Sequence, residues 1–95
     1  MVDKNTKADP RFSRFKKKYN LDKAEYSNLL KRQQHKCAIC GVDEQDLTKR
    51  LHVDHNHETG EVRGLLCVNC NIGLGNFKDN QEFLLYALMY LQDYE

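Results

Sequence analysis

The chain has 95 residues, 31% charged and 40% hydrophobic, with a formal net charge of +1. That length allows one domain whose modest core should need cross-links to supplement burial. No apolar run approaches the roughly 20 residues of a membrane span and no charged leader with an apolar core opens the sequence, which points to a soluble protein of a reducing compartment.

The charge is unevenly spread. Residues 1–36 hold eleven Lys/Arg against four Asp/Glu, a local +7, whereas residues 37–95 hold four against ten, a local −6. Such asymmetry fits an electrostatic arm for a polyanion beside a half whose acidic groups are free to bind metal, or else an ordinary solvated segment.

Met1 to Pro10 is polar, without periodicity, and carries no recognisable chemistry. Phe12, Phe15 and Tyr19 then recur at helical spacing among Arg11, Arg14, Lys16, Lys17 and Lys18, predicting an apolar stripe under a basic surface. The stripe suits packing, and the cations suit phosphates. Asp22-Lys23-Ala24-Glu25 has the form of a capping box, with Leu21 placed to staple onto Tyr26, so a helix is expected over 23–34. Its face of Tyr26, Leu29 and Leu30 should lie against whatever the cysteines build.

Cys37-x-x-Cys40 and Cys67-x-x-Cys70 suit one tetrahedral Zn2+ better than two disulfides. Four thiolates would close the coordination sphere, which assigns the ion a structural role and leaves His35 outside it. Gly41 is free to take the positive φ that a cysteine knuckle uses. Asp43 to Arg50 reads as a polar connection. A short strand beginning at Leu51-His52-Val53 and a second over Val62 to Leu66, with Glu58-Thr59-Gly60-Glu61 between them, predict a hairpin. A helix over 68–77 should follow, with Gly75 on the Asn71 face, allowing close approach to the hairpin or to a nucleic-acid backbone. Asp79-Asn80-Gln81-Glu82 has a second capping-box pattern and opens a last helix over 80–93. That helix is apolar most of the way round, so its surplus should be covered by the N-terminal helices or by a second copy of the chain.

Asp54, His55, His57 and Asn71 combine oxygen donors with imidazoles. Asp54 and Asn71 suffice to hold a divalent ion such as Mg2+, which takes few protein oxygens and keeps other positions for water or phosphate. His55, with an ordinary pKa near 6.5, can serve as a neutral general base. In a regular strand Asp54 and His55 would face opposite ways, so the strand is expected to break between them. His57 reads as a phosphate contact, a support of the metal site or a plain loop residue; Arg63 grips a phosphate or sits exposed on the second strand; His52 is expected to be an exposed strand histidine. The residues thus leave two functions in play, a metal-dependent DNA endonuclease and a non-catalytic zinc-stabilised nucleic-acid-binding module.

Over residues 37–76 the motifs CAICG, VDHNH-x-TG-x-VRGLLC and CVNCN resemble the HNH, or ββα-metal, nucleases, and most closely the phage recombination endonuclease VII family. The resemblance implies an α+β fold, a small zinc-stabilised ββα-metal core over 37–79. A basic N-terminal arm with helices (1–36) and a C-terminal helix (80–95) would complete one compact domain. It implies Cys37, Cys40, Cys67 and Cys70 on structural Zn2+, Asp54 and Asn71 on a catalytic Mg2+ or Mn2+, His55 as general base and His57 as a further active-site histidine. The implied products are a 5′-phosphate and a 3′-hydroxyl, and resolving members act as dimers on branched junctions. A phage or bacterial gene product working in the bacterial cytoplasm follows from the same resemblance.

Overall fold

In a computed structural model, Arg14 and residues 17–94 are described. Arg11, Phe12, Phe15 and Lys16 lie outside the described residues, so the expected aromatic stripe is seen only at Tyr19, the last residue of a helical stretch over 17–19.

The chain turns at Asn20, which takes a left-handed φ of 53°, and then starts helix α1 (Lys23–Arg32). Both halves of the capping box form. The Glu25 amide donates to Asp22 Oδ1 at 2.8 Å and the Asp22 amide donates to Glu25 Oε1 at 3.3 Å, satisfying two backbone donors that the helix start would leave unmet. Leu21 and Tyr26 flank this cap and are both buried, as the staple requires.

Helix α1 ends two residues before the expected Gln34. Gln33 caps it and reaches across to the sheet: its Nε2 donates to the Leu65 carbonyl at 2.9 Å and to the Lys36 carbonyl at 2.8 Å, while its Oε1 accepts from the Leu65 amide at 2.9 Å. One amide side chain thus serves β2 as a neighbouring strand would. The polar connection that follows the first cysteine pair contains a single 3₁₀ turn, Glu44–Asp46, opened by Asp43, whose side chain accepts from the Gln45 amide at 3.0 Å.

Strands β1 (His52–His55) and β2 (Val62–Leu66) pair antiparallel and form the two-stranded sheet. Their register places His52 opposite Leu66, Val53 opposite Leu65 and Asp54 opposite Gly64, but His55 opposite Val62. Arg63 is therefore the extra residue of a β-bulge. Helix α2 (Val68–Asn76) leaves β2 directly, and α3 (Gln81–Asp93) follows after a short turn.

The core lies between α1 and the first half of the hairpin. Tyr26, Leu51 and Leu65 are fully buried, joined by Leu21, Leu30, Val53 and Leu66 and by the cysteines Cys37 and Cys67. Tyr26 has its hydroxyl satisfied there, donating to the Leu51 carbonyl at 3.1 Å. Burying a leucine such as Leu65 contributes roughly 1.5–3 kcal/mol, so a few such side chains carry much of the stability of a domain this size.

Three sequence expectations are corrected here. His52 is half-buried rather than exposed; it pairs with the buried Leu66 across the hairpin. Gly75 makes no close approach to the hairpin: a Cβ there would meet no protein atom within 4 Å. Helix α3 fully buries no residue, against the surplus burial expected for it: Leu84 and Ala87 are half-buried, and Phe83, at 45% exposed, Leu85, Tyr86, Leu88 and Leu91, at 65%, face solvent. Among the described residues no helix is long and apolar enough to cross a membrane.

Candidate active site

The cysteine cluster joins the chain that precedes the hairpin, at Cys37 and Cys40, to the start of α2, at Cys67 and Cys70. Sγ atoms of Cys37, Cys40, Cys67 and Cys70 all lie within 4.8 Å of one another, and Cys40 and Cys67 are 3.7 Å apart. Two ligands of a tetrahedral ion at about 2.3 Å would sit near that separation. Both knuckles turn an amide onto sulfur, Ile39 to Cys37 and Cys70 to Cys67, each at 3.4 Å. Gly41 takes the expected positive φ of 77° and donates its amide to the Cys37 carbonyl.

Ionisation within the cluster is uneven. Burial pushes the Cys37 thiol up, but hydrogen bonds from Cys67, Cys40 and Ile39 outweigh it and bring the pKa down to about 6. Cys70 is pushed up to about 12, first by burial and then by the three neighbouring sulfurs. Crowded thiols ionise together only when a cation offsets their repulsion, so the donor set fits a soft divalent metal.

At the other end of the hairpin a bulge falls at the pair whose side-chain directions matter. The strand does not end between Asp54 and His55, as expected, but continues through both, and the register shift falls between them. A bulge increases local twist and re-aims the side chains beside it. The next residue, Asn56, organises the turn. Its Oδ1 accepts from the amides of Glu58 at 2.8 Å and Thr59 at 3.1 Å, its carbonyl accepts from Gly60, and Gly60 supplies the positive φ of 77°. His57 is thereby folded back over the strand. The His55 and His57 rings are 4.7 Å apart between centroids, and the Tyr19 ring lies 4.9 Å from His55.

His55 is half-buried between these two rings. Burial lowers its pKa below the ordinary 6.5, and the positive charge of neighbouring His57 and Lys18 lowers it further, against an upward pull from Asp54 and with a smaller lowering from Arg63. These influences together favour the neutral imidazole, the form that can accept a proton.

Asp54 is 8% exposed, and a carboxylate so buried requires a cationic partner. Arg63 provides one through the bulge. Its Nε donates to Asp54 Oδ2 at 2.7 Å and its Nη2 to Asp54 Oδ1 at 2.9 Å, a bidentate fork that raises the Arg63 pKa. The same Nη2 also donates to Asp79 Oδ2 at 3.2 Å, and that oxygen lies 3.6 Å from His57 Nε2. A carboxylate has about four lone-pair sites, so Asp54 keeps capacity for a hard cation while it accepts two hydrogen bonds from Arg63. Asn71, half-buried, stands in the first turn of α2, where its amide donates to the Cys67 carbonyl at 3.0 Å. The carboxylate of Asp54 and the side-chain amide of Asn71 are oxygen donors of the kind a hard divalent ion takes.

Asp79 was not foreseen as part of this group. Its capping-box pattern suggested a role at the helix start, but the cap of α3 is Asn80, whose Oδ1 accepts from the Phe83 amide at 3.0 Å. Asp79 is thereby left to face Arg63 and His57. Arg63 itself bonds two carboxylates rather than standing free on the strand, and Tyr19 packs on His55. Lys17 and Lys18 are exposed next to Tyr19, and Arg14 is exposed.

The sequence model of the recombination endonuclease VII family matches residues 12–93. The chain belongs to the recombination endonuclease VII family. Two similar proteins, the Gene 59 proteins of Mycobacterium phages L5 and D29, are each 43% identical to it, over 74 and 75 residues. These alignments span 77% and 78% of this chain but 44% and 45% of the phage proteins. Among solved structures, the ββα-Me type II restriction endonuclease Hpy99I is similar at 38% identity with a TM-score of 0.54, over 73% of this chain and 42% of that one. The chain therefore spans less than half the length of these relatives. Its hairpin and α2 form the ββα unit of that fold, within a small α+β protein whose four-cysteine cluster could hold a metal.

Proposed function

We propose that this chain is a metal-dependent DNA endonuclease that hydrolyses phosphodiester bonds to a 5′-phosphate and a 3′-hydroxyl. The observation that carries this reading is the half-buried His55, its pKa lowered by burial, next to the buried Asp54 carboxylate in a chain of the endonuclease VII family. Asp54 and Asn71 would hold one catalytic divalent ion, Mg2+ or Mn2+. When bound, that ion supplies positive charge to the scissile phosphate and to the departing oxygen. His55 Nδ1 or Nε2 accepts the proton of the attacking water, Tyr19 and His57 keep the ring in place from either side, and His57 faces the phosphate. Zn2+ in the four-cysteine cluster would hold the hairpin to the helix that bears Asn71.

The basic segment, including Arg14, Lys17 and Lys18 together with Arg11 and Lys16 outside the described residues, would neutralise DNA phosphates, as would Arg63 once a phosphate reaches it. Exposed apolar side chains along α3, Leu85, Tyr86, Leu88 and Leu91 among them, support a homodimer contact. A junction resolvase or a nicking enzyme of the bacterial cytoplasm, phage-encoded or bacterial, is the role that such a dimer would serve.

A second reading rests on a specific observation. Both Asp54 oxygens already accept from Arg63, as they would in a zinc-stabilised nucleic-acid-binding module without catalysis. The two readings separate on a panel of four-way junction, nicked duplex, linear duplex and single-stranded DNA incubated with Mg2+, alongside the solution mass. The endonuclease reading expects metal-dependent products that disappear in His55→Ala. Equal cleavage by both proteins would reject His55 as the base, and salt-dependent binding without any product would favour the binding module.

A further inference from the structure

Between the hairpin turn and the end of α2 lies a cleft of about 550 Å³ lined by His57, Arg63, Lys78 and Asp79 among others. Within it one guanidinium serves two carboxylates, with His57 Nε2 3.6 Å from the Asp79 oxygen. Arg63 gives two of its three bonds to Asp54, and the same Nη2 reaches Asp79 over a longer distance, 3.2 against 2.9 Å. Asp54 is the drier site, with its side chain 10% exposed against 23% for Asp79.

The position of Asp79 is set by backbone rather than by its own side-chain bonds. Lys78 and Asp79 both take left-handed φ, 58° and 53°, an uncommon conformation for side-chain-bearing residues. Their amides close the end of α2 on Gly75 and Leu74, each at 2.9 Å. Asp79 is thereby attached to the far end of the helix whose first turn carries Asn71.

We propose that Asp79 is a positioning residue that competes with Asp54 for the Arg63 guanidinium and so sets how tightly the Asp54 site takes a hard divalent cation. This rests on the metal-site reading above and adds to it. A cation of charge +2 on Asp54 repels the guanidinium bound to the same carboxylate. Arg63 must then loosen its fork, and doing so is less costly if a second carboxylate retains it. Asp79 is already within reach, and the cleft gives the guanidinium room to turn without entering the core. Arg63 thus stands on Asp54 when no divalent ion is bound and on Asp79 when one is.

The test uses the zinc-loaded full chain without DNA, with Mn2+ as the probe and its dissociation constant read from the paramagnetic resonance of free Mn2+. Asp79→Asn is expected to weaken Mn2+ binding roughly threefold to tenfold, within the range of coupling between neighbouring charges, and Asp79→Glu to restore it. Arg63→Gln removes the competitor and is expected to tighten binding. On that background Asp79→Asn should have almost no further effect, because Asp79 acts through Arg63. Should Arg63→Gln fail to fold with Asp54 left unpaired, Arg63→Lys keeps a charge but loses the fork, and the same loss of the Asp79 effect is expected. An undiminished Asp79→Asn effect on either background would mean direct attraction between Asp79 and the ion, and would overturn the proposal. Weaker Mn2+ binding in Arg63→Gln would also overturn it. Asp54→Asn distinguishes the two levels of failure: Mn2+ binding that survives this change removes the metal-site reading itself, whereas binding that is lost with it while the Asp79 and Arg63 effects simply add removes only the competition.

Discussion

The two ends of the hairpin are stabilised by different physics. Around Leu51, Val53 and Leu65 the strands are buried, the Tyr26 hydroxyl and the Gln33 amide have fixed partners, and soft sulfur donors close the structure. Just beyond, Asp54, Arg63, Asp79 and His57 form a chain of polar pairings in which Arg63 and Asp79 each have more than one partner. Apolar packing is close to all-or-none, because a core at crystal-like density has one good arrangement. A charged group that shares partners can instead change partner at small cost. One end thus holds a single geometry, and the other has alternative pairings open to it.

The sharpest way to break this contrast is to remove the ion proposed for the cysteine cluster. Structural zinc contributes an apparent binding energy of roughly 10 kcal/mol or more, comparable with the entire stability of a small domain. Chelation, or Cys37→Ser, should therefore abolish cooperative unfolding in near-ultraviolet circular dichroism. A sharp transition that survives strong chelation would show that the apolar core suffices without metal.

A paired substitution sharpens the contrast. Leu65→Ala should destabilise by roughly 2–5 kcal/mol, since Leu65 has no exposed surface, while leaving the cleavage rate per folded molecule near normal. His55→Ala should do the opposite, lowering the cleavage rate roughly 10²- to 10⁴-fold with little change in chemical denaturation midpoint. If both substitutions moved both quantities together, the two ends would have to be one cooperative unit.

A smaller effect is expected at their boundary. A Cβ on Gly64 would stand 3.1 Å from Gln33 Oε1, the atom that accepts from the Leu65 amide. Gly64→Ala should cost about 1 kcal/mol by disturbing that bond, and the penalty should vanish on a Gln33→Ala background. Additive losses in a thermal-denaturation cycle would mean that Gln33 does not transmit the strain.

The least effect concerns pH. His55 has its pKa lowered by burial and then by His57 and Lys18, so the acid limb of the cleavage profile should lie below pH 6.5. His57→Ala removes one lowering charge and should move that limb upward by a fraction of a unit. Because the folded pKa is below the unfolded one, stability associated with His55 is fully present above the unfolded pKa and is lost as pH falls through the folded one. An acid limb unmoved by His57→Ala would mean that burial alone sets the His55 pKa.

Much of the rigid end was legible in the sequence, since its signals are local. The spacing of the two cysteine pairs, the Asp22 and Glu25 cap and the Gly41 turn each occur within a few residues. The charged end was legible in its residues but not in its pairings. Asp54, His55, His57 and Asn71 stood out, yet the bulge at Arg63 depends on the register between two strands, which no single strand encodes. Asp79 was concealed by a plausible capping role that Asn80 fills instead, and Gln33 looked like one more polar residue at a helix end.

The central claim is that Asp54 and Asn71 share one hard divalent ion close to His55, apart from the ion held by the cysteines. Anomalous diffraction from crystals of the zinc-loaded protein soaked in Mn2+ tests it most directly. The account predicts one manganese peak within bonding distance of Asp54 Oδ and Asn71 Oδ1, and a separate zinc peak among the four sulfurs. Manganese bound elsewhere, with the Asp54 carboxylate still forked on Arg63 at saturating Mn2+, would contradict it.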